Sequence, residues 1–260
     1  PNPGGGKPVD EGLYLSVSTD DLHNPYLSYA VVSPDCPGEF YRGECLLINQ
    51  RDFDPSIDQS PRDGTDLDAD LIERVFRSLN YKVTRILNIT KKALDKTLVN
   101  ASQIDHSSYD SFVFVMLTHG EYNVVYATDD EVQTSYIMSF FRGDRCPSLI
   151  GKPKLFFFQA CQGVSYDKGV STMVADAGDN IIVHKLPVEA DILVSYSTVP
   201  GYIAWRNMTS GSWYIQELCN ALETDIKNGN HTDLITLLTV VARVVAYQYQ
   251  SSTGEPETDI

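Results

Sequence analysis

A cysteine and a histidine follow two stretches that the sequence predicts to be buried strands. Leu155 to Phe158 is a short, wholly apolar run rich in aromatic residues, which indicates a strand buried on both faces of a parallel sheet. Cys161 follows this run, and His119 follows a second apolar run, Ser111 to Thr118. Open α/β sheets place their sites at the carboxyl ends of parallel strands. We therefore expect Cys161 and His119 to meet at one edge of a sheet.

This pair has the chemistry of nucleophilic catalysis. A thiol of ordinary pKa is only a few per cent thiolate at neutral pH, so it needs an imidazole nearby as a base. The developing oxyanion needs donors, which the backbone N–H groups of Gly120 and Cys161 can supply. Taken singly, a cysteine that ends an apolar strand is more often structural, and a lone histidine usually only satisfies local hydrogen bonds. The spacing and flanks of the two residues together favour the catalytic interpretation.

The composition excludes several classes of partner. With 260 residues, 42% of them hydrophobic, the chain can bury a large core, and we expect one domain. A net charge of -15 argues against nucleic acid or an anionic membrane, since both bind to a basic face. The five cysteines are scattered without CxxC spacing, which indicates a reducing, cytoplasmic compartment. No Gly-rich phosphate loop, HExxH or EF-hand pattern occurs, so we expect no cofactor and no metal.

Apolar periodicity predicts alternating strands and helices. The predicted strands are Glu44 to Asn49, Tyr81 to Ile89, Ser111 to Thr118, Leu155 to Phe158 and Ala190 to Ser197, with a small hairpin of Val124 to Ala127 and Glu131 to Gln133. The predicted helices are Leu67 to Leu79 after a cap within residues 63 to 66, Thr90 to Gln103, Tyr136 to Phe141, Trp213 to Ile226, and one from a cap at Thr232 or Asp233 to Tyr247. This alternation predicts an α/β fold, a three-layer sandwich with a mostly parallel central sheet and helices on both faces.

Three segments stand apart from this pattern. Pro1 to Val9 is dense in Pro and Gly, and residues 1 to 40 as a whole are interpreted as a flexible leader. Val164 to Ile181 is polar and without a sustained period, which favours a functional or cleavable loop. The tail from Gln248 is expected to be disordered.

Several sequence blocks, in order, identify a resemblance to a known family. The blocks are RGECLLIN at Arg42 to Asn49, RDGTDLDA at Arg62 to Ala69, THG at Thr118 to Gly120, GKPKLFFFQACQG at Gly151 to Gly163, LPVEADILVSYSTVPG at Leu186 to Gly201, and WRN with GSWYIQELC within Trp205 to Cys219. From about Gly43 to Tyr249 the chain resembles a caspase, closest to the short-prodomain executioner type. The resemblance implies a cysteine endopeptidase of apoptosis-type signalling that cuts after aspartate, with Cys161 as nucleophile and His119 as base.

The resemblance also implies how the substrate is bound. A carboxylate that enters a pocket loses its hydration, and guanidinium groups replace it best. By family match, Arg62 and Arg206 bind the P1 aspartate, and Gln159 adds an amide donor. The remaining subsites would be Trp205 for P2, and Trp213 with Asn207 for P4. The implied partners are protein substrates with Asp at P1, a second copy of the chain in a homodimer, and inhibitor proteins.

Activation of such a zymogen is expected to require a cut in the polar loop. Val174-Ala175-Asp176-Ala177 offers an aspartate between small residues, so we expect cleavage after Asp176, with Asp179 as the alternative. The cut would divide the chain into a large subunit, residues 41 to 176, and a small subunit, residues 177 to 260. Asp10 or Asp20 would be the sites that release the leader.

Two other functions remain open from the sequence. One is a catalytically silent caspase-like regulator or scaffold that lacks the terminal dimer strand. The other is a relative with the same sheet but a different P1 preference, such as a metacaspase or a legumain. A preference for basic residues would need acidic groups in the pocket, which Arg62 and Arg206 contradict.

Overall fold

A computed structural model describes residues 41–163, 188–200, 202 and 204–248. The strands are β1 Gly43–Asn49, β2 Tyr81–Leu87, β3 Ser111–Leu117, β4 Gly120–Glu121, β5 Val124–Tyr126, β6 Glu131–Gln133, β7 Lys154–Gln159, β8 Ile192–Tyr196, β9 Arg206–Asn207 and β10 Gly211–Ser212. The helices are α1 Thr65–Ser78, α2 Lys91–Ser102, α3 Thr134–Ser139, α4 Trp213–Asn228 and α5 Leu234–Gln248.

Five strands form the central sheet in the order β2-β1-β3-β7-β8. Every neighbouring pair in this order is parallel. Strands β1 and β3 are buried along their whole length, because both faces of the sheet are covered. This is why the middle of each strand, Cys45 to Ile48 and Phe112 to Leu117, is a continuous apolar run in the sequence instead of an alternating pattern.

The two faces of the sheet carry separate hydrophobic clusters. Successive side chains of a strand point to opposite faces, so Phe114 of β3 packs with Leu94 of α2 and Ile137 of α3. Val115, its neighbour, packs on the other face, in the cluster formed with α1, α4 and α5. The predicted three-layer α/β sandwich is therefore confirmed. None of the described helices is long and apolar enough to cross a membrane.

Helix α1 begins within the stretch that was predicted to supply its cap. Its N-cap is Gly64, with a φ of 84°, and no side chain caps the helix. The Thr65 hydroxyl donates instead to Asn49 Oδ1 at 2.7 Å, and Asp66 accepts from Asn49 Nδ2 at 2.8 Å. The cap residue therefore lies within the predicted stretch of residues 63 to 66, but no side chain of that stretch caps the helix.

Strand β2 ends at Leu87, two residues before the predicted end. Asn88 takes a left-handed φ of 52°, and its Oδ1 accepts from the backbone N–H groups of Arg51 and Asp52 at 2.8 and 3.0 Å. Asparagine adopts this conformation more readily than most residues, so the chain turns here. Ile89 leaves the strand and exchanges two hydrogen bonds with the side chain of Gln50.

The predicted surface hairpin is present and carries one more strand than expected. Strands β5 and β6 pair antiparallel, and β4, directly after His119, adds to β5. Thr90 caps α2, as predicted, by accepting from the N–H of Ala93 at 3.3 Å. The leader of residues 1 to 40, the loop Val164 to Ile181 with Asp176, and the tail after Gln248 lie outside the described residues.

Candidate active site

The pairing of β3 with β7 brings the histidine and the cysteine to one edge of the sheet. Leu117 is aligned with Gln159, and the N–H of Thr118 donates to the Gln159 carbonyl at 3.0 Å. His119 and Cys161 each follow this aligned pair by two residues. The carboxyl ends of two adjacent parallel strands therefore carry the two candidate catalytic side chains.

Gly120 packs directly against the segment that carries Cys161. A Cβ atom at Gly120 would lie 2.9 Å from the Cys161 carbonyl oxygen and 2.9 Å from Ala160 Cβ. It would also lie 2.7 Å from the Val124 carbonyl oxygen, so a larger residue would require the backbone to move. Glycine is thus required here by the close approach of three segments.

The thiol of Cys161 is held by hydrogen bonds on both sides. The N–H of Ala160 donates to Ser197 Oγ at 3.2 Å, and the N–H of Gln162 donates to the Tyr202 carbonyl at 2.9 Å. The sulfur itself accepts from the N–H of Ala204 at 3.3 Å. The residues after β8 therefore fix the position of the thiol, which is only partly buried.

The imidazole of His119 is held as a neutral base. Its Nε2 lies 2.8 Å from the Ser60 carbonyl, which can only accept, so Nε2 carries the proton and Nδ1 keeps its lone pair. The ring packs on Phe53 at a centroid distance of 5.1 Å. Desolvation lowers the pKa of His119 to about 4, and the charges of Arg62 and Arg206 act in the same direction. At neutral pH the ring is therefore uncharged and able to accept a proton.

Arg62 is almost completely buried, with 1% of its surface exposed. Its Nη1 donates to the Gln50 carbonyl at 2.9 Å and to Thr65 Oγ1 at 2.7 Å. Burial, together with the charge of Arg206, lowers the pKa of Arg62 to about 9, so the group remains a cation at neutral pH. Its Nε is buried and has no hydrogen-bond partner among the described residues. A buried cation with an unused donor has the chemistry to bind an anion.

Arg206 lies close to Arg62, and Gln159 is at the end of the strand that precedes Cys161. The Nε of Arg206 donates to the Asp63 carbonyl at 3.0 Å, which anchors the guanidinium beside the loop that carries Arg62. Desolvation lowers the pKa of Arg206 as well. Gln159 is buried at the end of β7, and no partner among the described residues holds its Oε1.

The two tryptophans form one aromatic wall. The rings of Trp205 and Trp213 stack with centroids 5.5 Å apart and planes at 20°. Asn207 lies on β9, but its Oδ1 accepts from the N–H and hydroxyl of Thr209 and from the N–H of Ser210. Only the amide Nδ2 of Asn207 is then left to contact a substrate.

Residues that the sequence reasoning missed support this site. Ser60 orients His119 through its backbone carbonyl. Because every residue has such a carbonyl, the residue type at position 60 gives no indication of this role. Asp68 is buried beside both arginines, and it had a readable signal: it lies four residues before Ile72, on the apolar face of α1. A carboxylate on a buried helix face needs a partner.

No cluster of metal-ligating side chains occurs in the part of the chain that the structure describes.

A parallel sheet that ends in a thiol and a neutral imidazole, beside two guanidinium groups, defines a cysteine hydrolase that accepts an acidic side chain. Comparison with known proteins identifies the family. The caspase domain model matches residues 42–258. Caspase-3 of Mesocricetus auratus is 40% identical over 249 residues, which is 95% of this chain and 82% of that protein. Caspase-7 of Gallus gallus is 38% identical over 219 residues, 82% of this chain and 70% of that protein.

The chain therefore belongs to the caspase family. It is a cysteine endopeptidase of apoptotic signalling that cleaves after aspartate, and the predicted executioner type is confirmed. The interpretation as a catalytically silent regulator or scaffold is not favoured.

Proposed function

We propose that Cys161 and His119 cleave the peptide bond after aspartate by acyl transfer. Nδ1 of His119 takes the thiol proton, and Cys161 Sγ attacks the carbonyl carbon of the P1 residue. The backbone N–H groups of Gly120 and Cys161 bind the oxyanion. The imidazolium then donates its proton to the leaving amine, which departs and leaves a thioester on Cys161. A water molecule, deprotonated by His119, hydrolyses the thioester and restores the thiol.

We infer that the P1 carboxylate binds between Arg62 and Arg206, with Gln159 Nε2 as a further donor. The observation that carries this assignment is the buried, unpaired Nε of Arg62. An unused buried donor costs about 1–3 kcal/mol, a cost that a bound carboxylate would remove. The chain has a net charge of -15, so the two adjacent guanidinium groups form a positively charged site in a negatively charged protein.

The remaining subsites are proposed from the aromatic wall. Trp205 would contact the P2 side chain, and Trp213 the P4 side chain. Since Trp205 and Trp213 stack on each other, the two subsites share one wall and would respond together to a change in either ring. The Nδ2 of Asn207 would donate to a P4 side chain with an acceptor, because its Oδ1 is already bonded.

A panel of fluorogenic tetrapeptides that differ only at P1 tests the assignment of the arginine pocket. With Asp, Asn, Arg and Lys at P1, we expect kcat/KM for Asp to exceed that for Asn by at least about 30-fold, because loss of a buried charge-assisted contact costs about 2–5 kcal/mol. Arg and Lys should not be cleaved, since their charges would face two cations. Cleavage of the Asn peptide at the rate of the Asp peptide would contradict the proposal.

We further propose activation by a cut after Asp176, which would separate a large subunit, residues 41 to 176, from a small one, residues 177 to 260. The proposal rests on the sequence Val174 to Ala177. Contacts across the cut support continued association of the two pieces. Strand β8 pairs with β7, and α1 packs against α4 in one cluster.

Substitution of the proposed cleavage site tests this activation. We expect purified wild type to give two masses that correspond to a cut after Asp176, and Asp176→Ala to remain one chain, with lower kcat/KM. Asp179→Ala is the matched control and should be cut as wild type is. An uncut wild type with full activity, or identical cutting of Asp176→Ala, would refute the site.

The proposed assembly is a homodimer in the cytoplasm that acts on protein substrates, with inhibitor proteins as further partners. Strand β8 is at one edge of the described sheet, and its residues are only partly buried, so its backbone can pair with a further strand. The described cysteines Cys45, Cys146, Cys161 and Cys219 are unpaired, which suits a reducing compartment.

A further inference from the structure

A buried carboxylate links α1 to the segment that carries half of the substrate pocket. Asp68 is 1% exposed. Its Oδ1 accepts from the N–H of Ser212 at 2.8 Å, and its Oδ2 accepts from the hydroxyl of Ser212 at 2.5 Å. The two residues are 144 positions apart in the sequence, so this is a contact between distant parts of the chain.

The turn before Ser212 is shaped to admit this carboxylate. Gly211 has a φ of 92°, a conformation that other residues rarely adopt. A Cβ atom at Gly211 would collide with Oδ1 of Asp68. The backbone of the turn thus packs directly on the carboxylate, and a residue larger than glycine would displace one of them.

Ser212 is the point from which the pocket residues are positioned. In the pairing of β9 with β10, Ser212 is directly opposite Arg206. The next residue, Trp213, is the first residue of α4 and stacks on Trp205. A contact that holds Ser212 therefore holds the cross-strand arginine and the aromatic wall at once.

The surroundings of Asp68 show that it is more than a solvated helix residue. Desolvation raises its pKa, while the hydrogen bonds from Ser212 and the charges of Arg62 and Arg206 oppose that rise. A buried carboxylate is costly unless it is hydrogen-bonded, and both of its oxygens are. The two hydrogen bonds from Ser212 therefore offset part of the cost of burying Asp68.

We propose that Asp68 is a positioning residue for the substrate pocket: through Ser212 it fixes β9, β10 and the start of α4 relative to Arg62. It does not touch the substrate. Its effect is on binding of the P1 side chain and not on the thiol chemistry at Cys161. This proposal rests on the assignment of Arg62 and Arg206 to the P1 pocket.

Asp68→Ala tests this role. It removes both acceptors and leaves the N–H and hydroxyl of Ser212 unpaired, so we expect KM for the Asp peptide to rise at least 10-fold with kcat within about 3-fold. The ratio of kcat/KM for Asp over Asn at P1 should fall. Asp68→Asn retains an acceptor for the N–H of Ser212 and a donor for its hydroxyl, and should restore most of the loss. Asp70→Asn, an exposed carboxylate on the same helix, is the matched control and should behave as wild type does.

Two further measurements keep the test decisive. The rate at which iodoacetamide alkylates Cys161 should be the same in Asp68→Ala and wild type, since the thiol is not displaced. If Asp68→Ala does not fold, Ser212→Ala, which removes one of the two bonds, should still raise KM about 3-fold. An unchanged KM in Ser212→Ala, or equal losses in kcat and alkylation rate in Asp68→Ala, would overturn the proposal. Absence of an Asp preference in the wild type would instead refute the pocket assignment itself.

Discussion

Replacement of Cys161 by alanine is expected to lower kcat/KM for an Asp peptide by at least about 10,000-fold, to the background rate. That loss is roughly 5 kcal/mol of transition-state stabilisation. The physical reason is that no other nucleophile can form the acyl intermediate, while the binding groups around the site remain. Because the side chain of Cys161 is only partly buried, the variant should keep its fold and its melting temperature within a few degrees. Initial rates and thermal unfolding measure both expectations.

Covalent labelling gives the matched control. A peptide with P1 Asp and an alkylating group should add one label to wild type and none to Cys161→Ala. Cys146→Ala, which removes a buried thiol from the hydrophobic cluster beneath α2 and α3, should be labelled and active like wild type. Turnover by Cys161→Ala above background would exclude Cys161 as the nucleophile.

Replacement of Arg206 by alanine is expected to lower kcat/KM for the Asp peptide by about 100- to 1,000-fold. A desolvated carboxylate that loses one of its cationic partners costs about 2–5 kcal/mol. Arg206 is only half-buried, so the variant should fold. Lysine at this position should restore part of the activity, because it returns the charge without the planar pair of donors.

The selectivity of the Arg206 variants separates a pocket role from a general defect. In Arg206→Ala the ratio of kcat/KM for Asp over Asn at P1 should fall toward one, since the neutral peptide never used the charge. Arg77→Ala removes an exposed arginine of α1 and should leave the ratio unchanged. An unaltered ratio in Arg206→Ala would remove Arg206 from the pocket. Arg62→Ala should act in the same direction, with an added loss of stability because Arg62 is buried.

The positions of His119 and Cys161 at one edge of the sheet were predictable because their signals are local. A strand buried on both faces is mostly apolar, and the apolar runs of β3 and β7 end shortly before His119 and Cys161. The carboxyl ends of parallel strands share one edge, so the meeting of the two side chains followed from the class of fold. The helices were predicted for the same reason. A periodic apolar stripe shows which face of a helix is buried, even when the element that covers this face is not known.

Errors arose where a side chain had more than one possible partner. The oxygens of Thr65 and Asp66 have the chemistry of a helix cap, yet the structure gives them to Asn49 of β1. The local sequence shows that these side chains will form hydrogen bonds. The packing of α1 on the sheet determines which group is the partner. In the same way, Ile89 continues the apolar pattern of β2. Its backbone N–H and carbonyl, however, form hydrogen bonds with the side chain of Gln50 instead of with a neighbouring strand.

By itself, the sequence determined the sheet, the helices, and the positions of the thiol and the imidazole, because each depends on burial that neighbouring residues reveal. The tertiary structure alone decided the proton on His119 Nε2, the unpaired Nε of Arg62, and the link from Asp68 to Ser212. Each of these features depends on whether a group forms a hydrogen bond with a residue distant in the sequence. For His119 the partner is a backbone carbonyl, a group that every residue has. Such partners are fixed by the register and approach of distant elements, which no local pattern encodes.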